Sequence, residues 1–262
     1  MASKAIAVVA GVGPGTGASV ARKFAAAYPV VLLARNPDNY ESLVEEINKS
    51  GGKAIGISAD VSSPESLKAA FEKVEQEYKG ATDCGRDIQC ERTFREEAIV
   101  GYGCRGLRGG LPCQRPSRVQ TDTDTARVHS KGAFLFSQHT LPGLLKHAED
   151  KDAKYPPTLI FTGATASVKA NALMSGFASA KFALRALSTS IAKEFAPKGV
   201  HVAHAIIDGV IDIPRTKDWL KDMPAEAKIG ADDIADAYWH LSTQSKRCFT
   251  NEIDIRPMLE KW

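Results

Sequence analysis

Short apolar runs alternate along this chain with segments whose apolar positions recur every three to four residues, a pattern that predicts strands followed by helices. Ile6–Ala10 reads as a strand, and a helix-like segment from Ala18 to Ala27 follows. Val30–Ala34 reads as a second strand and Asp38–Lys49 as an amphipathic helix with an aspartate suited to its cap. Lys53–Ser58 makes a third strand, and Ser63–Tyr78 a helix with Pro64 near its first turn. Together these form a βαβαβ half, the unit that holds a mononucleotide.

The pattern resumes with a helix over Gly132–His147, a strand over Thr158–Thr162 and a long helix over Ser175–Phe195. Val200–Ile207 then reads as a strand, Ala231–Thr243 as a helix and Glu252–Ile255 as a last short strand. Strands joined by helical crossovers run parallel with right-handed connections. The predicted fold is therefore α/β, a Rossmann-like doubly wound parallel sheet in a single domain over residues 1–262.

Between the two halves, residues 81–127 hold eight of the fourteen arginines, none of the twenty lysines and four of the five cysteines. Neither strand nor helix periodicity persists there, and so long a structureless insertion is foreign to a compact domain. Three explanations compete: a basic surface loop, a disordered excursion, or a stretch translated in a shifted frame. The abrupt change of composition at both ends, between flanks that fit one continuous fold, favours the last.

The first strand runs directly into Gly11-Val12-Gly13-Pro14-Gly15-Thr16-Gly17. Glycines at 11, 15 and 17 permit positive φ, close approach of backbone to a pyrophosphate, and a tight strand–helix crossing. The helix N-terminus then faces an anion. Read from Gly11, the Gly-x-Gly-x-x-Gly spacing fails at Thr16; read from Gly13, it fits with Ala18 as the small third residue. Either register serves the same phosphate.

Composition narrows the partners. The 262 residues are 44% hydrophobic and 25% charged, ordinary for a soluble domain, and the net charge of +3 points to neither nucleic acid nor a membrane surface. Small molecules are the expected partners. No apolar run approaches the length of a membrane span, and the first strand starts too early for a secretory leader, so a cytoplasmic protein is expected. Cys84, Cys90, Cys104 and Cys113 are separated by 5, 13 and 8 residues, which matches no compact zinc pairing, and no metal is expected.

With the glycine turn, Asp60-Val61 after the third strand and Phe177-Ala178-Ser179-Ala180-Lys181 on the long helix, the chain resembles the short-chain dehydrogenase/reductase family. The resemblance covers roughly residues 4–80 and 128–256. It implies hydride transfer with a nicotinamide dinucleotide, with Gly11, Gly15, Thr16 and Gly17 at the diphosphate and Asp60 and Val61 at the adenine. Ala10 departs from the threonine of the family's turn. Gly209 and Ile211 stand where the family holds the nicotinamide carboxamide, although Asp208 and Ile213 replace its proline and threonine. Homodimers or homotetramers packed on the long helices are likewise implied.

At the positions of the family's Asn-Ser-Tyr-Lys tetrad stand His129, Ala164, Phe177 and Lys181. Only Lys181 is retained, and the family assigns its ammonium a second task, binding the nicotinamide ribose. This is the pattern of a divergent subgroup with Phe for the catalytic Tyr. Phenylalanine has no proton to give, and losing a general acid typically costs about 10²- to 10⁴-fold in rate. Thr165, Ser167, Ser175, Ser179, His129 and His204 are candidate substitutes, His204 reading first as a buried structural histidine.

A carboxylate at the end of the second strand would repel a 2′-phosphate, whereas arginine pairs with one. The strand here ends Leu33-Ala34-Arg35-Asn36, which favours NADP over NAD. The expected function is an NADP(H)-dependent oxidoreductase acting on a small carbonyl or alcohol, with a helix around Thr216–Lys221 covering the substrate. Two alternatives stand beside it: a catalytically impaired dinucleotide-binding sensor or partner subunit, and a non-redox biosynthetic enzyme on the same scaffold.

Overall fold

The computed structural model describes residues 5–78, 96–100 and 130–261. Seven parallel strands form one sheet, in the order β3-β2-β1-β4-β5-β6-β9. They are β1 (Ile6–Ala10), β2 (Val30–Ala34), β3 (Ala54–Ser58), β4 (Glu96–Val100), β5 (Thr158–Thr162), β6 (His201–Ile207) and β9 (Glu252–Ile255), with the short pair β7 (Ile211–Asp212) and β8 (Ile229–Gly230) apart from it. Among the described residues, six helices cover the faces: α1 (Thr16–Ala25), α2 (Glu41–Lys49), α3 (Pro64–Tyr78), α4 (Gly132–Ala148), α5 (Ser175–Phe195) and α6 (Ala231–Ser242).

Successive side chains of a strand point to opposite faces, so a strand buried on both sides reads as a continuous apolar run. In β1, Ile6, Val8 and Ala10 join the core under α3, α4 and α5, while Ala7 and Val9 join the core under α1, α2 and α6. Phe71, Phe136 and Leu184 anchor the first core; Phe24, Tyr238 and Leu241 anchor the second. Phe24 meets Trp239 edge-on at 5.2 Å between ring centroids, which ties α1 to α6.

Strand order runs outward from β1 to β2 and β3 on one side and through β4 to β9 on the other. A crevice opens at that reversal, beyond the carboxyl ends of the strands, and such crevices bind ligands.

The structure corrects three expectations. Strand β4 pairs with both β1 and β5, Val8 opposite Ala98 and Ile99 opposite Ile160, inside a segment where no period was legible. The rest of 81–127, including its four cysteines, lies outside the described residues, as does His129. Helix α2 begins at Glu41, and Asp38 instead sits in a 3₁₀ turn whose start is capped by the Asn36 side chain. The stretch after Ile213 is built of two 3₁₀ turns, Pro214–Thr216 and Ala225–Ala227, rather than a helix; the Thr216 hydroxyl bonds back to the Ile211 carbonyl and closes the first.

Candidate active site

A cleft of about 870 Å³ opens over the carboxyl ends of β1, β5 and β6. The glycine turn forms one wall. Its four glycines differ in what surrounds them. Gly11 takes a φ of +77°, which side-chain-bearing residues rarely adopt, and its amide bonds the Leu33 carbonyl at 2.8 Å. Gly17 lets α1 cross β1 closely, since a Cβ there would stand 3.1 Å from the Val12 Cα. Gly15 has extended backbone and faces the cleft, where an added Cβ would stand 2.9 Å from Ile213 Cγ2 and meet no backbone. Above Gly13 there is open space.

Helix α1 starts at Thr16 with no side-chain cap and no acidic residue in its first turn. Its first amides and the positive end of its dipole therefore suit an anion. The open backbone at Gly13 and Gly15, the uncapped helix start and the adjoining cleft fit the diphosphate of a dinucleotide.

Arg35, Asp60 and Val61 do not line the cleft; the Asp60 carboxylate accepts bonds from the Ser62 amide at 2.9 Å and the Ser62 hydroxyl at 2.7 Å. Burial pushes this carboxyl up, but those two bonds and the charges of Arg35 and Lys131 outweigh it, and Asp60 is held below the usual carboxylate range. Arg35 is exposed at the end of β2, and Val61 is buried beside Asp60.

The opposite wall comes from the loops after β5 and β6. Ala164, Thr165 and Phe177 line the cleft, with Asp208, Gly209, Ile211 and Ile213. Gly209 has a φ of +152°, and a Cβ there would strike Pro257 at 2.7 Å. Lys181 is fully buried, does not line the cleft, and donates to the Thr162 carbonyl at 2.9 Å. Its ammonium lies 5.8 Å from the centroid of the Phe177 ring.

Several candidate proton donors fall away from the cleft. Ser175 and Ser179 are exposed at the start of α5, the Ser179 hydroxyl donating to the Ser175 carbonyl at 2.7 Å. Ser167 is buried and accepts the Ala164 amide at 3.1 Å. His204 is buried, with Nδ1 3.0 Å from Glu252, which Arg185 grips in turn with two bonds. Burial pushes His204 down against the opposing pull of Glu252, so it is held neutral in a structural role.

Thr165 remains, and its surroundings were not legible in the sequence. Its hydroxyl donates to Asp208, which is only 7% exposed and pairs with Arg256 at 3.2 Å. Arg256, Glu260 and Lys261, just after β9, line the cleft together with Trp219. The replacement of proline by Asp208 was the one available signal.

A glycine turn at the reversal of a parallel sheet, opening onto a cleft with a polar wall, defines a dinucleotide-binding α/β protein. The model of the short chain dehydrogenase family matches residues 5–84 and 110–224, and the chain belongs to that family. It is similar to an uncharacterized oxidoreductase of Staphylococcus epidermidis, 27% identical over 254 residues that cover 97% of each chain. Among solved structures it resembles a short-chain dehydrogenase from Rhodopseudomonas palustris, 28% identical with a TM-score of 0.72 over 97% of this chain and 99% of that one. Its fold also matches a metagenomic short-chain oxidoreductase in complex with NADP, at 22% identity and a TM-score of 0.70 over 98% and 99% of the two chains. The protein is thus an oxidoreductase of the short-chain dehydrogenase type, a family that binds nicotinamide dinucleotides and acts on small molecules. No helix among the described residues is long and apolar enough to cross a membrane.

Proposed function

We propose that the protein is an NADP(H)-dependent oxidoreductase that moves a hydride between nicotinamide and a small carbonyl or alcohol substrate. The observation that carries this reading is the single cleft running from the glycine turn to the Thr165–Asp208 pair. Gly11, Gly15, Thr16 and Gly17 would hold the diphosphate, Asp60 and Val61 the adenine, and Gly209 and Ile211 the nicotinamide amide. Bound there, the dinucleotide supplies the hydride. Lys181 sits behind the wall on the Thr162 carbonyl and does not line the cleft.

NADP is favoured over NAD because Arg35 ends β2 exposed, with no acidic residue before Asp38, and a guanidinium pairs with a 2′-phosphate in two bonds. Fluorescence titration tests this: NADPH should bind more tightly than NADH, and Arg35→Ala should weaken NADPH alone, by about 10- to 100-fold if one charge-assisted contact worth about 1.5–3 kcal/mol is lost. Equal affinities in the native protein would refute the preference. Exposed Phe134 on α4 and Phe182 on α5 support assembly as a homodimer or homotetramer.

A second reading, a dinucleotide-binding protein without redox activity, draws on Ala164, Phe177 and Ile213, three apolar residues where the family carries hydrogen-bonding ones. Loss of NADPH absorbance against a panel of ketones and aldehydes separates the two.

A further inference from the structure

We propose that Thr165 and Asp208 form the proton relay of this site, in the place left by the family's tyrosine and serine. The inference rests on the oxidoreductase reading above and extends it.

Thr165 follows Ala164 directly and lines the same cleft. Its backbone is fixed: the 3₁₀ turn over Thr165–Ser167 closes with the Ser167 amide on the Ala164 carbonyl at 2.7 Å, and the Thr165 carbonyl accepts the amides of Val168 at 3.0 Å and Lys169 at 2.9 Å. The hydroxyl gives its proton to one oxygen of Asp208, leaving its own oxygen able to accept from a substrate. The other Asp208 oxygen lies 3.2 Å from Arg256 Nη2. Arg256 also holds Asp254 through two bonds, at 2.9 and 2.6 Å, so its position does not depend on the charge of Asp208. The Asp208 amide on the Ile255 carbonyl, at 2.9 Å, ties the carboxylate to the sheet.

A threonine hydroxyl alone is far too weak an acid or base for this task near neutral pH, whereas one coupled to a carboxylate moves a proton without ionising. In alcohol oxidation the substrate O–H proton passes to Thr165 Oγ1 as the Thr165 proton passes to Asp208. The substrate C–H bond breaks with its electron pair, which leaves as hydride to the oxidised nicotinamide. The products are the carbonyl, the reduced dinucleotide and a protonated Asp208, which releases its proton to water. Reduction runs the same transfers in reverse. Arg256 and Asp254 surround Asp208 from the β9 end, and Glu260, Lys261, Arg215 and Lys169 face the cleft from other segments. A purely structural role would use the same ion pair only to pin the residues after β9, and the test must separate the two.

The full-length protein and its Thr165→Val, Thr165→Ser and Asp208→Asn variants are compared with NADP⁺ or NADPH and the best substrate from a panel of secondary alcohols and ketones. Thr165→Val and Asp208→Asn should lower kcat about 10²- to 10⁴-fold with NADPH affinity unchanged, while Thr165→Ser keeps kcat within about 10-fold. Calorimetric binding of trifluoroethanol, an alcohol whose electron-poor carbon resists hydride loss, to the NADP⁺ complex should weaken about 10-fold or more in Thr165→Val and Asp208→Asn and stay near native in Thr165→Ser. Unchanged kcat in a folded, NADPH-binding Thr165→Val protein overturns the relay. So does trifluoroethanol binding left unchanged in a folded Thr165→Val protein, or a native protein that binds NADPH yet turns over no panel member. Should Asp208→Asn fail to fold, the valine and serine variants at 165 still decide. Absence of any dinucleotide binding would instead remove the oxidoreductase reading itself.

Discussion

Mild acid should destabilise this protein through its buried histidines. His201 and His204 lie inside β6, 0% and 1% exposed, and His139 is half-buried on α4. Burial lowers all three; in His201 it outweighs the Thr250 and Leu241 carbonyls that favour the cation, and in His204 it outweighs Glu252. A depressed folded pKa means that the unfolded chain binds more protons, so stability is complete above the unfolded value of about 6.5 and is lost as pH falls below it towards the folded values. At pH 5.5 each deeply buried histidine that stays neutral in the fold costs about 1.4 kcal/mol, about 3 kcal/mol for His201 and His204, out of a total of roughly 5–15 kcal/mol, and the more exposed His139 adds less. The lowered carboxyls Glu46, Asp60, Glu65 and Glu252 destabilise the fold only as they protonate, which begins in the unfolded chain near pH 4.5, so the two windows are separate. Urea unfolding followed by circular dichroism at pH 7.5, 6.5 and 5.5 measures the loss, and His204→Asn should remove nearly half of it. A midpoint that does not move between pH 7.5 and 5.5 at constant m would refute the reasoning.

Phe24→Ala should cost about 3–5 kcal/mol, since the ring is fully buried against Tyr28 and Trp239, and calorimetry should find Tm lower by roughly 6–20 °C; a fall under about 3 °C would mean that α1 and α6 are not joined there. Gly17→Ala presses a methyl on the Val12 backbone and should destabilise the fold by about 1–3 kcal/mol, whereas Gly15→Ala meets the Ile213 side chain and no backbone and should cost less in urea while weakening NADPH binding about 10-fold or more. Equal effects of the two on stability would contradict the assigned division of tasks. Tyr238→Phe removes the phenol 2.7 Å from the Thr162 hydroxyl in the core and should cost about 1–2 kcal/mol by urea titration.

Apolar periodicity carried most of this fold. β1, β2, β5 and β9 run over the residues expected of them, and α5 spans Ser175–Phe195 as read, because strands buried on both faces and helices with one buried stripe leave unmistakable patterns. Strand β4 left none. Its residues Glu96–Val100 include two acidic positions, and its place between β1 and β5 follows from the gap those neighbours leave, not from its own composition. The family model likewise passes over residues 85–109. The short β7–β8 pair and the 3₁₀ turns after Ile213 were hidden for a related reason, since two-residue strands and single turns have no period to detect.

Local order thus sufficed for the nucleotide half of the site, where Gly11, Gly15 and Gly17 act within seven consecutive residues and backbone geometry follows directly from residue type. The reactive half gathers Thr165, Asp208 and Arg256 from three distant segments, and no spacing along the chain announces that their side chains meet. Folding also turned Lys181 inward onto the Thr162 carbonyl and left His204 to Glu252. Hydrogen bonds between remote groups depend on positions in space to within a few tenths of an ångström, and those positions exist only once the sheet and its helices have packed.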